Sequence, residues 1–151
     1  MAFLSDIRSC FDSVGREKLA IDSARMAQLP LDSVSSACRA FLYAVLELNR
    51  GKLKRAIRFI SQAREQAEDI EELSYVLHVE GVLLSMRGEY RQAVAKHVRC
   101  AEICKLTGDK LLGCEALLRL SGLHLKLGEP AMAQVYEKEA ALIMPRDRGR
   151  A

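Results

Sequence analysis

The 151-residue sequence contains no tryptophan, only 5% aromatic residues, and three prolines, Pro30, Pro130 and Pro145. Scarce proline leaves long stretches without an obligatory helix breaker. Scarce aromatics leave the core to Ala, Leu, Val and Ile, and Ala and Leu are the best helix formers because they lose little side-chain entropy in a helix. Half of the residues are apolar, enough for a compact core in a chain of one-domain length. Neither sign of charge dominates: 23 Lys and Arg against 20 Asp and Glu give a formal +3, a mixed balance that asks for no polyanionic partner. The first residues lack the basic start and apolar run of a secretory signal, and no apolar run is long enough to span a bilayer. The five cysteines, Cys10, Cys38, Cys100, Cys104 and Cys114, include no C-x-x-C pair. They read as reduced thiols packed as small apolar groups, which implies a cytoplasmic location.

What the sequence does have is a repeat. Gly51, Gly88 and Gly128 lie 37 and 40 residues apart. Five residues after each stands a small residue, Ala56, Ala93 or Ala133. Twelve after stands another, Ala63, Cys100 or Ala140. Seven before stands a third, Ala44, Gly81 or Ser121. A helix ending in the left-handed conformation favours glycine, and small side chains are required where two helices approach most closely. These twelve residues are therefore expected to set the packing of paired helices. Gly15 repeats part of the pattern with Ala20 and Ala27, although Arg8 stands at the remaining position.

The periodicity and stop signals predict helices near 34–50, 53–69, 71–87, 90–106, 110–127 and 130–143, with a shorter hairpin near 3–13 and 17–28. Asp32 or Ser33, and Asp109 after Thr107-Gly108, are capping residues, and Pro130 suits a first helical turn. Short connections make neighbouring helices antiparallel. The chain thus reads as all-α, one domain over 1–145: a degenerate N-terminal hairpin at 1–30, repeats at 34–69, 71–106 and 110–145, and a polar tail at 146–151.

These positions resemble the tetratricopeptide repeat family, in a long-repeat form. Gly81, Leu84, Gly88, Tyr90, Ala93 and Cys100 fall where that repeat places its small, large-apolar, turn, aromatic, small and small residues. Tyr43, Ala44, Gly51, Ala56, Ile60 and Ala63 match in the first repeat, and Leu120, Ser121, Gly128, Ala133, Ala140 and Pro145 in the third. Ala40, Leu77 and Leu117 take the family's Trp position, while Glu80 and Glu137 stand where it is apolar. The resemblance implies a right-handed solenoid of three to four antiparallel hairpins whose first helices line a concave groove. Mapped onto this sequence, the groove residues are Phe41, Val45, Leu48, Tyr75, His78, Val82, Met86, Leu118 and Leu125, an apolar wall suited to a helical or extended segment of another protein. The Lys and Asn of a carboxylate clamp are absent: Phe41, Val45, His78 and Val82 hold those places.

Chemistry finds less support. His97, Cys100 and Cys104 share a helix, with Cys114 or His124 as further soft ligands for zinc, but Cys100 already holds a close-packing position and the spacing is not that of a zinc site. No nucleophile motif or phosphate loop occurs, and no acidic orienter is evident for His78, His97 or His124. No enzymatic activity, metal or cofactor is expected. The basic run Arg50, Lys52, Lys54, Arg55 and Arg58 precedes an acidic one, Glu65 to Glu72, with no interleaved aromatics, so nucleic acid is not an expected partner and neither is a membrane. The expected role is a non-catalytic adaptor or chaperone-like scaffold that binds another protein and self-associates as a dimer. The alternative is a regulatory domain sensing a peptide or small effector.

Overall fold

The computed structural model describes residues 36–143. The hairpin expected near 1–30, the caps Asp32 and Ser33, Cys10, Pro145 and the tail lie outside the described residues. The described chain is six α-helices: α1 (Ser36–Asn49), α2 (Leu53–Gln66), α3 (Ile70–Met86), α4 (Tyr90–Thr107), α5 (Lys110–Lys126) and α6 (Pro130–Ile143). No described helix is long and apolar enough to cross a membrane.

One turn is used three times. Gly51, Gly88 and Gly128 take φ of 77°, 81° and 76°. In each turn the glycine N–H bonds to the carbonyl three residues back, and the next N–H to the carbonyl six positions earlier counted inclusively: Lys52 to Glu47 at 2.9 Å, Glu89 to Leu84 at 2.9 Å, Glu129 to His124 at 2.8 Å. This satisfies the carbonyls that a helix end leaves orphaned, and it works because glycine adopts the left-handed conformation without a Cβ penalty. The following helix starts at once, without a side-chain cap on Lys52 or Glu89.

The other junctions use carboxylates. The Asp69 side chain accepts from the Glu72 N–H at 2.8 Å, and Glu72 reaches back to accept from the Glu68 N–H at 2.9 Å. This explains why α2 stops at Gln66 rather than near 69: a residue committed to capping α3 must leave helical geometry, and Ala67 is already extended. Asp109 caps α5 through Oδ1, which accepts from Leu112 N–H at 3.1 Å, while its Oδ2 accepts from the Tyr75 hydroxyl at 2.9 Å. One side chain thereby starts α5 and ties it to α3.

Each helix packs on its neighbours in sequence, and α1 also touches α3, as α3 touches α5. The small residues sit at these approaches. Ala44, Ala56, Ala63, Gly81, Ala93, Cys100, Ala133 and Ala140 are buried, whereas Ser121 is half-buried. Gly81 shows the constraint most directly. A Cβ added there would lie 2.5 Å from Nε2 of His97 and 2.8 Å from two ring carbons, closer than packed atoms tolerate. Glu80, at an apolar position of the repeat, is held between Arg64 of α2 at 3.4 Å and Lys96 of α4 at 3.6 Å.

Candidate protein-binding surface

The nine residues expected to line an open wall divide sharply. Phe41, Val45, Leu48, Tyr75, His78 and Val82 are buried, so the expectation of an accessible surface is corrected for all six. The reason is lateral packing. Phe41 meets the Tyr75 ring edge-on at 6.5 Å between centroids, and Tyr75 in turn bonds Asp109 of α5. The apolar stripe of α1 and α3 is consumed in joining first helices to one another. Met86, Leu118 and Leu125 remain open, at 55%, 40% and 60% exposure. Leu118 and Leu125 are seven residues apart on α5 and share one face.

Helices α3 and α4 bury a polar pair between them. His78 of α3 and His97 of α4 meet edge to face at 5.0 Å between centroids, and both are fully buried. Burial, then His97, then Arg119 hold His78 well below the usual histidine range. Burial and Arg119 push His97 down to about 3. Neither ring nitrogen of His97 has a hydrogen-bond partner. Both imidazoles are therefore neutral near pH 7, and the His97 ring rests against Gly81. Arg119 is itself held by Glu115 at 3.7 Å.

His124 was expected to lack an acidic orienter, and the structure corrects this. Its Nδ1 lies 2.7 Å from Oε1 of Glu129, while Arg91 holds the same carboxylate at 2.6 and 3.3 Å. Hydrogen bonds from Arg91 and His124 lower the Glu129 carboxyl below the usual carboxylate range. The contact follows from the glycine turn, which folds Glu129 back over the last turn of α5, so a carboxylate just after the turn glycine and a histidine five residues earlier are its sequence signal. The His124 ring stacks on Tyr136 at 5.4 Å, and its Nε2 is buried without a partner. The pair fastens α5 to α6 and, through Arg91, to α4.

The cysteines are equally occupied. Cys38, Cys100, Cys104 and Cys114 are buried thiols outside any disulfide. A hydrogen bond with Cys104, then burial, raise the Cys100 thiol well above the ordinary range, and Cys114 Sγ donates to the Ala140 carbonyl at 3.8 Å. Among the described residues no group of three or more His, Cys, Asp or Glu is placed to hold a metal ion. A cavity of about 220 Å³ lies between α4, α5 and α6, with Ala101, Cys104, Leu117 and Ile143 in its walls.

No known family model and no curated protein matches the chain. The geometry alone therefore leaves an exposed apolar stripe on α5 as the feature to be explained.

Proposed function

We propose that the chain is a non-catalytic protein-binding module, a right-handed tetratricopeptide-like solenoid that holds a helical or extended apolar segment of another protein. The repeated glycine turn, the buried small residues and the contacts running α1 to α3 to α5 support the solenoid reading. The observation that carries the function is the exposure of Leu118 and Leu125 on one face of α5. Large aliphatic side chains aligned along a helix and left in water are the anchors that helix-in-groove recognition uses. Mixed surface charge and reduced, buried thiols accord with a cytoplasmic adaptor.

A small effector would need the cavity between α4, α5 and α6. At about 220 Å³ it falls short of the ~300 Å³ at which ligand pockets begin, so a protein segment is the preferred cargo. The test is affinity purification of the tagged chain with mass spectrometry, run beside a Leu118→Asp/Leu125→Asp variant. Both positions are exposed, so folding is retained. A partner recovered with the native chain and lost with the variant is the expected result. Equal recovery by both removes α5 as the binding surface.

A further inference from the structure

Helices α4, α5 and α6 close around a cavity of about 220 Å³, and small residues shape it. Gly113 of α5 sits so near α4 that a Cβ there would lie 3.2 Å from Cβ of Cys104 and 3.6 Å from Cδ1 of Ile143. Ala101 stands three residues before Cys104 and Leu117 four after Gly113, each about one helical turn from that contact and on the same face. Both line the cavity, and the alanine methyl is too short to fill the space that remains. Ala101, Cys104, Gly113 and Leu117 are buried and Ile143 is half-buried. The covered part of the wall thus presents apolar groups and one thiol, which a hydrogen bond joins to Cys100.

The charged residues of the lining are already committed. Lys105 of α4 and Glu139 of α6 pair with each other at 3.5 Å. Asp109 accepts from the Leu112 N–H and from the Tyr75 hydroxyl. Lys110 is exposed, and an exposed lysine keeps its ammonium hydrated. An ion carried into the cavity would shed its water without gaining a counter-charge from the buried wall, which is strongly unfavourable. The lining therefore selects a neutral ligand. Volume selects its size: the cavity is smaller than the ~300 Å³ at which pockets for larger effectors begin, yet larger than the ~150 Å³ of apolar cavity that suffices for benzene.

We propose that this cavity is a binding site for a neutral apolar molecule of about six to nine carbons, a single aromatic ring or a short alkyl chain. It is separate from the apolar stripe of α5, since Leu118 and Leu125 take no part in its lining. Its occupant touches α6 as well as α4 and α5, whereas α6 otherwise packs chiefly on α5. A bound ligand therefore fastens α6 in place and raises the unfolding midpoint.

The test is titration of the full chain, isotope-labelled at its Ala, Leu and Ile methyls, with toluene under NMR observation. Ring-current shifts that saturate at the Ala101, Leu117 and Ile143 methyls are the expected result, with none at Leu125. Ala101→Leu fills the space and should raise the toluene concentration needed to shift Leu117 and Ile143 by at least about tenfold. Benzoate carries the same ring with a carboxylate, and at equal concentration it should leave the three methyls unmoved. Shifts that fail to saturate, shifts at Leu125 in place of the cavity methyls, an Ala101→Leu chain that folds and binds toluene as before, or benzoate acting as strongly as toluene overturns the proposal. Should Ala101→Leu not fold, the native-chain titration and the benzoate comparison decide alone. None of these outcomes bears on the α5 stripe, which the affinity purification tests separately.

Discussion

Helices α3 and α5 carry the same pattern at the same distance from the same glycine turn, yet one hides its stripe and the other displays it. His78 is fully buried where Leu118 is 40% exposed, and Val82 is buried where Gly122 lies open. The difference does not reside in hydrophobicity, since the more polar residue is the buried one. It resides in neighbours: α3 is flanked by α1 and α5, whereas α5 has α3 on one side only among the described residues. Equivalent positions take their environment from the helices packed beside them, and α5, with fewer such neighbours among the described residues, leaves its stripe open.

Substitutions at equivalent positions can break that comparison. The largest contrast is at the first stripe position. Phe41→Ala empties a buried site and should cost about 3–5 kcal/mol, and Leu118→Ala should stay within roughly 0.5 kcal/mol; denaturant unfolding of both variants gives the ratio, and equal losses would mean that the stripe is buried alike in both helices.

The buried histidines give the next effect. With His97 at about 3 in the folded state and near 6.5 unfolded, the unfolded chain binds the extra proton. Stability is thus fully present above pH 6.5 and declines as pH falls from there toward 3. Between pH 6.5 and 5 the loss from His97 approaches ~2 kcal/mol, and His78 adds to it in the same direction. Thermal melts across this range should show the slope, and His97→Asn should make it shallower, leaving the part that belongs to His78.

Two glycines should respond with opposite signs. Gly81→Ala drives a methyl into the His97 ring and should destabilise by about 1–3 kcal/mol from overpacking, more than the ~1 kcal/mol of helix propensity it gains. Gly122→Ala meets nothing and should stabilise by up to about 1 kcal/mol. A double-mutant cycle between Gly81→Ala and His97→Asn should show coupling, and additivity would detach the glycine from the ring. The smallest effect is Tyr75→Phe, which removes the hydroxyl from Asp109 and should cost ~1 kcal/mol while leaving the α5 cap in place.

The positions of the helices were legible because turn glycines, small residues and capping aspartates act locally. Five of the six C-terminal helix ends within the described residues fall within a residue of expectation, and the sixth moved because Asp69 is recruited by α3. Burial was not legible. Phe41 and Leu118 look alike in sequence, and which of them is covered depends on a helix tens of residues away. His97 against Gly81 was equally hidden: the glycine was recognisable as a close-packing position, but the size of the group resting on it was not. The His124–Glu129 contact lay between the two cases, since it is short in sequence but exists only through the left-handed turn between its members.

The two oxygens of Asp109 have a consequence for how the molecule opens. Because Oδ1 holds the first turn of α5 and Oδ2 holds Tyr75 in α3, unwinding the start of α5 frees Tyr75 in the same event. Amide protons at Leu112 and in the middle of α3 should therefore exchange with solvent at matched free energies, as one cooperative unit, so that the boundary between units is mechanically stiffer than the two-residue connection would imply.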